Sequence, residues 1–401
     1  MSAPQRPLIV GAGPVGLAAA LFLQRQGLQP RIVESRTEPA HQSKALAVNP
    51  RTLLLLEPTG VAARMLEIGK PVRGMQMHRD GRTVVDLALA DLPTQYPYML
   101  GLSQATTERL LAQAFIAAGG SIERGVEMTA CRNVADGVEV ELQTLATGAL
   151  ETVQSPWLLA ADGARSVARR QLGVDFPGST FPGEWYLADA PLRTSLSPEV
   201  AHILFCKNGG FLFLMPVYGD VESTPADGLL LWRVLGNRPN PLSQLEEAEV
   251  AGPVAWESNF RVSHRVNSTL AVGNIYFAGD AAHIHSPMGA RGMNLGIEDA
   301  WVFANLVRTG RLDQYNQLRH PVDQRVVHEV EFFSRLIGGD ALPFRFARRF
   351  VLPLLVRTPL QNRIKRTVTG LDHPLPSGLE PADEQAEADP AVHAELQPSR
   401  A

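Results

Sequence analysis

Three clusters of glycine and acidic residues, far apart in the chain, are of the kinds that handle phosphates and polyhydroxyl groups. Gly11-Ala12-Gly13-Pro14-Val15-Gly16 spells Gly-x-Gly-x-x-Gly directly after the apolar run Pro7-Leu8-Ile9-Val10. In that spacing the first glycine permits a tight turn and the second lets a pyrophosphate touch backbone. The third lets the next helix pack close to the strand. Glu34, followed by Ser35, ends the next apolar run 21 positions after Gly13, where an acid accepts hydrogen bonds from a ribose diol. A second cluster places Gly279-Asp280 after the apolar residues 275–278. A loop with Pro287, Gly289 and Gly292 follows, then a helix beginning near Met293. A carboxylate at a strand end can hold hydroxyls, and a fresh helix N-terminus offers N–H groups and positive dipole to an anion. The third cluster is Leu158-Leu159-Ala160-Ala161-Asp162-Gly163-Ala164-Arg165-Ser166. For the second cluster an ordinary strand–loop–helix crossover is the alternative. Asp162-Gly163 and Ser166 also read as turn and cap chemistry.

Elements in register must position these groups. A helix is expected from residue 14 to about Gln26, stopped by Gly27, and a strand over 30–33. After the second cluster, Ile297, Ala300, Trp301 and Ala304 recur at helical spacing. Strand, helix, strand and acid in that order read as a dinucleotide-binding unit. Nothing else in the composition competes. The 401 residues carry a formal net charge of −4, which gives no electrostatic case for nucleic acid. No run reaches the roughly 18 apolar residues of a membrane span. The N-terminus is too short and polar for a signal peptide, so the expectation is a cytoplasmic protein. Cys131 and Cys206 are read as buried small hydrophobes. His283 and His285 have no third ligand near in sequence, so they are read as packing residues, with no metal.

With all three clusters in order, the chain resembles the p-hydroxybenzoate hydroxylase-like family of single-component FAD-dependent aromatic monooxygenases, over roughly residues 7–330. The resemblance implies an α/β fold: a Rossmann-like FAD-binding domain, an inserted antiparallel-sheet substrate domain and C-terminal helices. It implies that Gly11, Gly13, Pro14, Val15 and Gly16 line the FAD pyrophosphate and that Glu34 and Ser35 hold the adenosine ribose. Lys44 stands where many relatives carry an arginine, and a lysine lacks the bidentate fork. Gln104 falls where relatives contact FAD, just before a helix expected to open at 106–108. Asp162 and Arg165 would brace the site, Asp280 would take the ribityl hydroxyls, and Pro287 would sit beside the isoalloxazine. Backbone N–H groups of Gly292, Met293 and Asn294 would face the pyrimidine edge.

The implied activity is hydroxylation of a phenolic or polycyclic aromatic with dioxygen and transient NADPH or NADH, through a flavin C4a-hydroperoxide. An FAD-dependent reductase or oxidase of prenyl-reductase type is the main rival. A halogenase would need a Trp-x-Trp-x-Ile-Pro motif, and the five tryptophans are isolated; a non-catalytic FAD-binding protein is the last alternative. No catalytic base stands out in 176–267. The oligomer is open between monomer and homodimer.

The division implied is 1–72, 101–175 and 268–340 for FAD, and 73–100 with 176–267 for substrate. Strands are expected at 184–188, 201–205, 211–216, 229–235 and 256–262 between Pro/Gly turns. Phe211, Phe213, Met215, Tyr218 and Trp232 are pocket candidates or ordinary sheet core. Residues 341–373 read as a helical segment whose arginines suggest a membrane-surface helix or a packing helix with a solvated basic face. The second reading is favoured because Pro343, Pro353 and Pro359 cut any long amphipathic stripe. Residues 374–401, rich in Pro, Ala and acids, read as a disordered tail.

Overall fold

In a computed structural model of the protein, the described residues are 6–39, 45–207, 209–219, 228–246, 248–339, 341–355 and 358–379. Short runs without polar alternation suit strands covered on both faces. Leu8–Val10, Leu158–Ala160 and Ile275–Phe277 are such runs, each buried throughout. They form a six-stranded sheet in the order Ala271–Val272, Ile275–Phe277, Leu158–Ala160, Leu8–Val10, Arg31–Glu34, Ile122–Arg124. All neighbours are parallel except the edge strand Ala271–Val272.

Two helices cover one face, and glycine lets them close in. A Cβ on Gly16 would lie 1.9 Å from the Gly11 carbonyl oxygen. One on Gly296 would lie 2.5 Å from Val15 Cγ2 and 2.9 Å from Gly279 Cα. The helix Pro14–Arg25 therefore meets the strand end and the helix Gly292–Thr309 at near-backbone contact.

A larger sheet runs His283–Ile284, Trp256–Val266, Gly178–Thr194, Leu230–Gly236, Phe211–Pro216, Ala201–Phe205, Gly74–Arg79, Arg82–Ala88. Its pairs are antiparallel apart from Ala201–Phe205 beside Gly74–Arg79. Strands from 74–88 thus join those from 178–266, and His283–Ile284 ties this sheet to the second cluster. Two of the expected strands coincide with observed ones, Leu230–Gly236 is shifted by one residue, and the other two are longer. Gly178–Thr194 crosses Pro182-Gly183 through a register shift instead of ending there.

The C-terminal helices run Tyr315–Gly338, Leu342–Phe346, Leu352–Leu355 and Leu360–Thr369. Beyond them the expected tail needs correction at its start. Leu375 and Leu379 are 4% and 2% exposed within the main core. Low apolar content did not matter, because two leucines at the right places fill the groove they meet. Residues 380–401 of that tail lie outside the described residues. Leu375→Ala or Leu379→Ala should each cost about 2–5 kcal/mol, whereas a chain ending at residue 379 should keep its thermal midpoint. Calorimetry of the three proteins checks this.

Candidate functional site

All three clusters emerge at the carboxyl ends of four adjacent parallel strands, the position where open α/β sheets bind ligands. The ladder persists up to the loops: Gly11 N–H donates to Val33 O at 2.8 Å, Ala161 N–H to Val10 O at 2.8 Å, and Ala278 N–H to Ala160 O at 3.1 Å. Between the loops lies a cleft of about 750 Å³. Its lining includes Gly11, Gly13, Pro14, Val15, Glu34, Ser35, Gln104, Asp162, Asp280, Gly292 and Met293. Gly16 sits behind it, in the helix contact already described.

The groups on its wall fit a dinucleotide. Gly11 has φ +102°, and a Cβ there would meet the Ala161 carbonyl at 2.2 Å, whereas a Cβ on Gly13 would meet nothing within 4 Å. The first glycine is fixed by the turn, and the second leaves an open cradle for phosphate. The helix Gly292–Thr309 begins without a side-chain cap, so its leading N–H groups lack intrahelical partners. Asp162 Oδ1 is buried and has no hydrogen-bond partner.

Several residues do more than the expectations gave them. Glu34 Oε2 accepts from Ala12 N–H at 2.8 Å and Oε1 from Arg36 N–H at 2.9 Å, so it staples the glycine loop. Burial raises its pKa, but these N–H groups and the Arg36 charge outweigh that and hold it below the usual range. Asp162 Oδ2 accepts from Val167 N–H at 2.7 Å, capping the helix Val167–Gln171 together with Ser166. Turn and cap chemistry is therefore present there, with one carboxylate oxygen left on the cleft. The helix expected at 106 opens at Gln104, because Ser103 is the N-cap and accepts from Thr106 N–H at 3.2 Å. Gln104 Nε2 donates to Glu108 Oε1 at 2.8 Å, and burial raises the pKa of Glu108. Glu108, Arg36 and Arg170 also line the cleft. Lys44 lies outside the described residues. The Asn294 side chain is a brace that donates to Ala47 O at 3.0 Å and accepts from Asn49 N–H at 3.0 Å.

A second cavity of about 360 Å³ meets the first at Gln104, Asp280, Gly292 and Met293. Its walls are mainly apolar, including Met75, Leu87, Met99, Leu235, Phe260 and Pro287. Phe213 and Met215 line it, and three other pocket candidates do not. Trp232 alternates to the opposite sheet face from Leu231, Arg233 and Leu235, where it packs with Leu212 and Val234. Phe211 lies at the far end of its strand, edge-on to Trp185 with ring centres 5.2 Å apart. Tyr218 is set against Gly101, which has no room for a Cβ beneath the ring. Arg233, 4% exposed, is one of several polar groups on the wall: Nε and a terminal nitrogen donate to Asp189 at 2.8 and 2.7 Å. His285 also lines the cavity. Its Nδ1–H donates to Ser286 O at 2.8 Å, and burial pushes its pKa down to about 3, so the ring is neutral.

Behind the cleft lies an ionic network that the sequence did not reveal. Arg319, 1% exposed, donates to Asp299 Oδ1 at 2.8 Å, Asp323 Oδ1 at 3.2 Å and Glu298. His283 Nε2 lies 2.8 Å from Asp299 Oδ2 and 4.0 Å from Asp323 Oδ2. Two carboxylates therefore do approach His283, contrary to the reading from sequence spacing. The Arg319 guanidinium engages both of these carboxylates. Burial lowers the His283 pKa, but Asp323 and Asp299 outweigh it and raise it to about 9. Asp299 Oδ2 also accepts from Gly279 N–H at 3.1 Å, which links the cluster to the Asp280 turn. Further out, His373 Nε2 meets Glu298 at 2.6 Å and Arg291 lies 3.1 Å from Asp372. Arg51 donates to Gly370 O and His373 O.

Asp280 itself is exposed where the cavities meet, so Asp280→Ala should leave the thermal midpoint nearly unchanged. The expectation that Asp280 takes ribityl hydroxyls predicts a loss of about 1.5–3 kcal/mol in FAD binding for this variant, measurable by fluorescence titration of the apoprotein.

Comparison with known proteins agrees with this geometry. A family profile described as "FAD binding domain" matches residues 6–330. The 6-methylpretetramide 4-monooxygenase of Streptomyces rimosus is 35% identical over 357 residues, covering 82% of this chain and 62% of that one. The rifampicin monooxygenase of Streptomyces venezuelae is 31% identical over 367 residues, covering 87% and 75% respectively. Among solved structures, the anhydrotetracycline hydroxylase of Streptomyces rimosus superposes with a TM-score of 0.75 at 27% identity, covering 93% of this chain and 77% of that one. The chain thus spans less than two thirds of the first relative's length and three quarters of the second's. Motif order, sheet order and these matches converge: the chain belongs to the p-hydroxybenzoate hydroxylase-like family of FAD-dependent aromatic monooxygenases.

Proposed function

We propose that this protein hydroxylates a phenolic or polycyclic aromatic substrate, using FAD, NADPH or NADH, and dioxygen. The observation that carries the reading is the apolar cavity opening onto the FAD cleft at Gln104, Asp280, Gly292 and Met293. FAD, when bound, accepts hydride from a nicotinamide and activates dioxygen for transfer to an electron-rich carbon. The chain supplies the surroundings. Gly11 and Gly13 admit the pyrophosphate, Asp280 takes ribityl hydroxyls, and Glu34 with Ser35 borders the adenosine ribose. The uncapped N–H groups at Gly292 and Met293, with the helix dipole, favour negative charge at the adjoining ring edge. Met75, Met99, Phe213, Met215 and Phe260 exclude water and hold a flat apolar ligand. Arg233, held by Asp189, lines the same cavity.

The names of similar proteins, 6-methylpretetramide 4-monooxygenase, rifampicin monooxygenase and the pentachlorophenol 4-monooxygenase of Sphingobium chlorophenolicum, support a polycyclic or phenolic substrate class. We take the protein to work in the cytoplasm. Among the described residues no helix is long and apolar enough to cross a membrane. The test is a panel of phenols and polycyclic aromatics with NADPH or NADH under ¹⁸O₂. One labelled oxygen in the product supports the reading. Substrate turnover without label would establish the reductase or oxidase alternative instead.

A further inference from the structure

The basic C-terminal segment turns an apolar ridge outward. Leu342–Phe346 is α-helical, Ala347–Val351 is wound as a π-helix, and Leu352–Leu355 resumes the α-helix. Pro353 has no N–H for the Arg349 carbonyl, which accounts for wider winding just before it. Mixed α and π winding averages about four residues per turn, so side chains four apart stay in line. Leu342, Phe346, Phe350 and Leu354 are such a set, and they are 77%, 61%, 50% and 63% exposed. The rings of Phe346 and Phe350 lie 5.0 Å apart. The opposite side is anchored by buried Leu352 and by Arg348, which donates to Ile337 O. Pro343 and Pro353 therefore do not cut this stripe as the sequence suggested, whereas Pro359 does start a separate helix as its N-cap; the outer face is apolar as well as basic.

Cations border this ridge, with Asp80 next to Arg79 as a nearby acid. Residues 341–369 contain seven lysines and arginines and no aspartate or glutamate, in a chain of net charge −4. Lys365 is engaged by Asp91 and Arg363 by Glu329. Arg345 and Arg349 are exposed. Arg79 joins them from the large sheet, donating to Arg348 O at 3.1 Å, and Arg79 and Arg348 both lie within 6 Å of the Phe205 ring centre. Burial and then the Arg349 charge lower the Arg79 pKa, as expected for like charges held together.

We propose that this ridge docks on an anionic phospholipid surface, its four apolar side chains at the acyl boundary and Arg345, Arg349 and Arg79 at the phosphates. Large exposed apolar side chains interleaved with cations are the composition of interfacial helices. A second copy seated on the same ridge would set arginines against arginines, because a twofold contact pairs each patch with itself. A phosphate layer answers both the charge and the apolar face. Phe333 and Val368, from the flanking helices Tyr315–Gly338 and Leu360–Thr369, line the second cavity, so docking turns a wall of that cavity toward lipid. The inference is independent of the hydroxylase reading.

Vesicle flotation of the full, FAD-loaded chain tests it, with phosphatidylcholine alone and with equal parts phosphatidylcholine and phosphatidylglycerol. Binding is expected to the anionic vesicles only, and added salt should weaken it. Arg345→Gln with Arg349→Gln should lower the partition coefficient roughly thirtyfold, at about 1 kcal/mol per cation. Phe346→Ser with Phe350→Ser should abolish flotation. Unchanged FAD content and thermal midpoint show that both variants are folded. No flotation of the parent chain overturns the proposal, as does equal flotation of parent and variants. A dimer seen by light scattering that disappears with Phe346→Ser and Phe350→Ser, without lipid binding, assigns the ridge to a second copy instead.

Discussion

Gly13→Val should yield a folded protein, with a thermal midpoint close to that of the parent apoprotein, that does not retain FAD. The added side chain meets no protein atom at its Cβ, so the fold has little to lose. It does fill the cradle over which a pyrophosphate would lie, and a loss of roughly hundredfold in affinity, about 2.7 kcal/mol, is expected. Gly16→Ala should behave differently. Its Cβ would stand 1.9 Å from the Gly11 carbonyl oxygen, so the helix must leave the strand and both stability and FAD binding should fall. Apoprotein calorimetry beside fluorescence titration separates the two. Normal FAD binding by Gly13→Val would remove the N-terminal loop from the cofactor site.

Arg319→Ala should be the most damaging single substitution away from the cofactor. It would leave Glu298, Asp299 and Asp323 buried at 2% exposure or less without their shared counter-charge. Breaking a buried pair in this way costs about 3–5 kcal/mol, readable as a fall in denaturation midpoint. The same cluster gives the parent a pH dependence with a definite sign. His283 is raised from 6.5 to about 9 by Asp323 and Asp299, against the opposing effect of burial. A raised histidine contributes stability that is fully present below pH 6.5 and is lost as pH climbs through 9. His283→Gln should flatten the decline between those values. A decline of the same slope in that variant would show that His283 does not carry it.

Much of the cleft's lining was legible because its signals are local. A glycine with φ +102° or an acid closing a strand is fixed by its immediate neighbours, and Gly11, Glu34 and Asp280 all lie at strand ends. The double duty of Glu34 was hidden, since which N–H groups a carboxylate takes depends on the turn's final geometry. The pocket wall was half legible. Strand alternation put Trp232 on the far face, but its phase relative to the cavity depends on which neighbours cover the sheet. The ion cluster was not legible at all. Glu298, Asp299, Arg319, Asp323 and His373 come from three stretches of chain whose meeting is decided by helix packing. Within a helical run, an arginine bound for the core looks like any solvated one. Leu375 and Leu379 were missed for a related reason: average composition describes a segment's affinity for water and not the fit of two particular side chains.

Gln104, Asp280, Gly292 and Met293 border both cavities, so the two voids share one wall among the described residues. On the proposed reading, bound FAD would complete one wall of the apolar cavity. Compound libraries screened against apoprotein would then sample a longer void than the flavin-loaded protein offers and would favour elongated molecules reaching from one cavity into the other. Screening by thermal shift should therefore use flavin-saturated protein, and compounds scoring only without flavin should be set aside as competitors of FAD.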